Sequence, residues 1–146
     1  MSNEQTENEM KKEYLQHYRK HVRRIRRIEE EIEELQAMKL SISAKNDGMP
    51  HGSGQRDLSG YAAKLDQLER NLIRERCQRI ESHEEISGQI ENLDDENESD
   101  VLFYRYIKGM RWWEIAEKMG YTERNICRIH GKALVHFEVP ELYHDE

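Results

Sequence analysis

The chain has 146 residues, of which 36% are hydrophobic and 36% charged, with a mean hydropathy of -1.06 and a net charge of -7. That composition excludes one large apolar core; with only eight Gly and two Pro, it points to long helices with narrow apolar stripes rather than to disorder. Two cysteines without motif context exclude a disulfide framework, and no apolar run reaches the roughly 18 residues that span a bilayer, which with a polar N-terminus predicts a cytoplasmic protein without membrane contact.

Residues 1–9 are polar and are predicted to be flexible. From Met10 to Ile42 there is no Gly or Pro, and Tyr14, Tyr18, Ile25, Ile28, Ile32, Leu35 and Ile42 recur in alternating steps of four and three. This is a coiled-coil seam, interrupted only where His21 and Lys39 occupy seam positions. Asn46 to Gly60 is rich in breakers and predicts a loop, placed at 43–57. A second helix follows, with a stripe of Leu58, Tyr61, Leu65, Leu68 and Leu72 that drifts to Ile73, Cys77, Ile80, Ile86, Ile90 and Leu93, as a stutter would. Residues 10–93 therefore read as a long antiparallel helical hairpin, and 94–99, with four acids in six residues, as an acidic linker.

The charge is unevenly divided. Residues 1–54 net to zero, 55–99 to -6, 100–137 to +3, and the acidic tail 138–146 to -4. The net-positive block is also the one with the most specific pattern. An introductory helix, Asp100 to Lys108, ends at Gly109. A helix from about Trp112 directs Ile115 and Met119 inward, with small Ala116 at the crossing point. Gly120 supplies the turn, Thr122 an N-cap, and Ile126, Ile129, Ala133, Leu134 and Phe137 the apolar face of a further helix. Small residue, glycine, cap and two apolar faces at these offsets make 100–137 a helix-turn-helix domain in an all-α chain.

The residues Arg105-Tyr106-Ile107-Lys108-Gly109, Glu114-Ile115-Ala116 and Gly120, continued by Thr122 to Leu134, resemble region 4 of bacterial sigma-70 factors, over about 40 of the 146 residues. The layout as a whole resembles small phage and prophage regulators of Gram-positive bacteria, in the style of the ArpU and RinA late-gene activators. The resemblance implies promoter reading, with the family's base-contacting positions falling on Glu123, Arg124, Cys127 and Arg128. Arg111 stands where the family carries a Ser or Thr cap, and Trp113 where it carries an acid; Trp113 either meets a partner or folds back onto the chain.

In such a motif the second helix enters the major groove and its first turns meet base edges. Arginine suits guanine, Glu123 suits cytosine or orients Arg124, and Lys132, Arg111 and Lys118 suit phosphates, with Thr122 adding a phosphate contact to its cap. The expected partners are double-stranded DNA, a second copy of the chain in a dimer, and RNA polymerase as a further candidate. Two other readings stand beside transcription control: a viral DNA-packaging recognition subunit, and a helical protein-interaction module that does not bind DNA. The run Arg19 to Arg27, six cations in nine residues, is either a second phosphate patch or one side of interhelical ion pairs with Glu81, Glu84, Glu85 and Glu91. Ser82-His83-Glu84-Glu85 lacks the second histidine of a zincin helix, and His51 reads as a turn residue. No catalytic, metal or cofactor motif is present, so no enzymatic activity is expected.

Overall fold

A computed structural model describes residues 2–45 and 53–144, all helix and connections with no strand among them. The helices are α1 (Ser2–Lys45), α2 (Ser53–Glu91), α3 (Glu96–Leu102), α4 (Trp112–Met119), α5 (Glu123–His136) and α6 (Glu141–His144). No helix among the described residues is long and apolar enough to cross a membrane. The chain divides into two compact units, one of residues 1–20 with 79–146 and one of 21–78.

In the unit 21–78, α1 and α2 pair in opposite directions. Its fully buried apolar residues are Ile25 and Leu68, with Ile28, Leu35, Tyr61, Leu65 and Leu72 half-buried. The two polar seam positions of α1 find specific partners. His21 Nδ1 lies 2.8 Å from Glu75 Oε2, and the Lys39 ammonium sits 5.1 Å from the centre of the Tyr61 ring. Arg24 also reaches Glu75 (3.7 Å), and Arg76 reaches Glu29 (3.4 Å). Ion pairing is thus the role found for part of the basic run. Its principal carboxylate is Glu75, however, one that the sequence pattern takes for neither partner nor seam. The drift of the α2 stripe does not occur: Ile73 and Ile80 are each 61% exposed and Cys77 is exposed, while Ile86 and Ile90 are buried. A charged residue at Glu75 interrupts the seam, and the pattern reading follows the neighbouring isoleucines instead. The expected breaker loop lies at 46–52, outside the described residues, so its glycines and His51 are not described. The predicted loop is nonetheless too long, since helix reaches Lys45 and resumes at Ser53.

The other unit holds the larger core. Val101, Ile115, Ala116, Ile126 and Ile129 form one buried cluster, with Tyr104, Met110, Trp112 and Met119 packed against it. Tyr14, Leu15, Leu102, Ile107, Leu134 and Phe137 are also buried. Residues 2–9 are helical rather than flexible. A few residues on, Lys11 is tied down: its ammonium donates to the carbonyls of Leu134 (2.8 Å) and Val135 (3.3 Å). These carbonyls are in the last turn of α5, where helical acceptors lack partners and a cation is favoured.

The acidic 94–99 segment is mostly not a linker. Asp95 N-caps α3, its carboxylate accepting from the Glu98 N–H (3.1 Å), and Ser99 Oγ donates to the Ile90 carbonyl (3.2 Å). Glu98 is only 6% exposed, its carboxylate 2.9 Å from His136 Nδ1. Nor is the acidic tail wholly solvated, since Tyr143 packs edge-on against Tyr14 (5.0 Å) and His17 (5.5 Å). After α3 the chain widens into a π-type turn over Phe103–Ile107, which buries Tyr106 and Ile107.

Candidate nucleic-acid interface

The segment α4 to α5 is built around Gly120. Its φ of +74° ends α4 in the left-handed region, and the Tyr121 N–H donates back to the Ala116 carbonyl (3.0 Å). The turn lets Ala116, 5% exposed, meet Ile126 and Ile129 in the buried cluster. Thr122 then caps α5, Oγ1 accepting from the Asn125 N–H at 3.1 Å. At the start of α4 the Glu114 carboxylate accepts from the Arg111 N–H (3.2 Å). The arginine side chain carries no acceptor, so only the carboxylate half of a capping box forms there.

Gly120 and Gly131 separate backbone conformation from crowding. A methyl group added at either meets nothing within 4 Å, but only Gly120 has a positive φ. Gly120→Ala is expected to destabilise by about 1–2 kcal/mol through the left-handed backbone, and Gly131→Ala, inside α5, to stabilise by about 0.5–1 kcal/mol. Urea denaturation of the two variants checks this; the same sign for both would exclude backbone conformation as the cause.

With Ile126, Ile129, His130, Ala133 and Leu134 buried, α5 turns Thr122, Glu123, Arg124, Cys127, Arg128, Gly131 and Lys132 to solvent. These are the sequence-selected residues of that helix, brought together on one face. Arg111 and Lys118 are also exposed, on α4. Lys118 has its ammonium 5.1 Å from the Tyr104 ring centre. Among the described residues, none of Arg124, Arg128 and Lys132 forms a salt bridge with a carboxylate. Like charges four residues apart oppose one another on an isolated helix by a few tenths of a kcal/mol, which an anion laid along the face relieves. Cys127 is a free, exposed thiol between the two arginines.

Three features escape the sequence pattern. Asn125 Oδ1 accepts from both Arg128 Nη2 (2.9 Å) and Nε (3.2 Å). Trp113 does not fold back: it is 51% exposed. Behind the face, His130 is buried and within 2.8 Å of the Tyr106 hydroxyl, with the Trp112 ring edge-on at 4.7 Å and the Arg105 guanidinium 4.2 Å over Trp112. Burial lowers the His130 pKa to about 4, with Lys12 and Arg105 adding to the effect, and burial pushes the Tyr106 hydroxyl up to about 12. His130 is therefore a neutral imidazole at pH 7, holding α5 to the chain beneath it. Its only sequence signal is a histidine on the apolar side of α5.

A cleft of about 880 Å³ is lined by Asp94, Asp95, Glu98, Glu138 and Glu141 among others, the wrong sign for a polyanion. Among the described residues no group of three His, Cys, Asp or Glu is placed to hold a metal ion. No family model, curated protein or solved structure matches the chain.

Proposed function

We propose that this chain is a sequence-specific DNA-binding transcriptional regulator of phage type. In this reading, α4, the Gly120 turn and α5 act as a sigma region 4-like helix-turn-helix, and the rest of α1 and α2 as a helical hairpin that brings two readers, or RNA polymerase, to the promoter. The observation that carries it is the exposed face of α5, where Arg124, Arg128 and Lys132 meet no carboxylate among the described residues and are backed by a buried apolar face. A dimer would set two such helices about one duplex turn apart, on an inverted-repeat site.

The reading requires electrostatic binding to duplex DNA. Arg111, Lys118, Arg124 and Lys132 offer three to four phosphate contacts, so log affinity should fall with log salt at a slope of about -3, or roughly fiftyfold between 50 and 200 mM. Fluorescence anisotropy of a labelled 30-base-pair duplex measures this directly. A salt-independent signal, or no binding at 50 mM salt, would exclude the proposal.

A further inference from the structure

We infer that Asn125 is a positioning residue that sets Arg128 as the guanine-reading side chain of α5; the inference rests on the DNA-binding reading above. Asn125 and Arg128 are three residues apart and so lie on one face of the helix. The Asn125 backbone N–H is already taken by Thr122 Oγ1, at 3.1 Å, which ties this residue to the first turn of α5. Its side-chain oxygen then takes two of the five guanidinium N–H groups of Arg128, those on Nε and Nη2.

Both the bonds used and the bonds left over matter. With Nε and one side of Nη2 engaged, the free edge of the guanidinium is its end, where Nη1 and Nη2 present two parallel N–H donors. Guanine offers two adjacent acceptors in the major groove, N7 and O6. Adenine offers one acceptor and one donor, so the second N–H would face a donor. A long, flexible side chain held in one orientation before it meets DNA loses less freedom on binding, and an incorrect base is less easily accommodated by reorientation. The same bonds occupy the Asn125 carbonyl oxygen, so Asn125 is not itself free to make the paired contact that reads adenine.

Arg124, one turn earlier, differs. It has no side-chain partner among the described residues and is exposed. It is suited to follow the phosphate backbone, a contact that tolerates a mobile side chain and carries no sequence information. The two arginines thus divide the work, one giving discrimination and the other affinity.

The experiment is selection by the full-length chain from a duplex library with a randomised 20-base-pair centre, together with total retention of that library at 50 mM salt. The wild type should enrich a guanine at a fixed position. Asn125→Ala should reduce that enrichment about five- to tenfold while total retention stays within about twofold and its salt slope is unchanged. Arg128→Ala should lose the same guanine, and the double variant should lose no more than Arg128→Ala alone. Asn125→Asp, which keeps the acceptor, should keep the guanine at lower overall affinity. Arg124→Ala should lower retention of all sequences and leave the guanine preference. Asn125→Ala retaining the full preference, or losing an adenine in place of the guanine, overturns the inference, as does wild-type retention without base preference. Wild-type failure to retain any duplex overturns the DNA-binding reading itself, and the inference with it.

Discussion

Replacing Arg124 and Arg128 together by alanine is expected to reduce affinity for duplex DNA at least about a hundredfold while leaving the unfolding midpoint nearly unchanged. Each is exposed and neither forms a salt bridge among the described residues, so the folded chain loses little beyond the Asn125–Arg128 hydrogen bonds. Exposed contacts of that kind are worth about 0.5–1 kcal/mol, and removing two like charges four residues apart offsets part of it. On the DNA side each arginine contact is worth about 1–3 kcal/mol, and the two together set the expected loss. The control is Arg23→Ala with Arg26→Ala, two exposed cations of the basic run on α1. They remove the same charge from a helix whose neighbouring cations already serve carboxylates, Arg24 on Glu75 and Arg27 on Glu31. Gel-shift titration of both double variants decides: a loss of similar size from the α1 pair would move the DNA contact away from α5.

Much of the helix arrangement is legible in the sequence because it depends on period and on backbone geometry. Gly120 at a left-handed turn, Ala116 at a close crossing and Thr122 at a cap are residue types that few others replace, and their offsets locate α4 and α5. The seam of α1 is legible for the same reason. What is not legible depends on partners far away in the chain. Residues 2–9 read as flexible because nothing in their composition indicates that Lys11 reaches the end of α5, more than a hundred residues on. Glu98 reads as part of a solvated acidic stretch because its partner His136 is thirty-eight residues away. Glu75 breaks the α2 pattern, and the apparent stutter follows the exposed isoleucines, because periodicity has no means of knowing that a charged seam residue is answered by His21. The reading face divides in the same way. Exposure of Arg124, Arg128 and Lys132 follows from the apolar stripe opposite them, whereas the fork between Asn125 and Arg128 is a choice of rotamer.

Acidification is expected to destabilise the unit that carries α5, and His130 is the group responsible. Its imidazole has a pKa of about 4 in the folded chain, against 6.5 as the ordinary value. Between those limits the unfolded chain binds a proton that the folded chain does not, so stability rises with pH through this window and is lost as pH falls. The contribution is fully present above about pH 6.5. It decreases by about 2 kcal/mol at pH 5 and approaches about 3 kcal/mol below pH 4, because each pH unit that separates the folded and unfolded values is worth about 1.36 kcal/mol. The physical cause is burial: His130 is 8% exposed, packed against Trp112 with the Arg105 guanidinium over the same indole, and a second positive charge there would meet no carboxylate among the described residues. Trp112 also makes the process visible, since its ring lies 4.7 Å from the imidazole. Urea denaturation followed by tryptophan fluorescence at pH 8 and pH 5 should show the difference in the wild type. His130→Gln removes the titrating group while keeping an acceptor for the Tyr106 hydroxyl. It should be less stable than the wild type at pH 8, because ring contacts are lost, and lose about 2 kcal/mol less than the wild type on going to pH 5. An equal loss in both proteins would place the acid sensitivity in the carboxylates, and His130 would then be a packing residue without a role in the pH response.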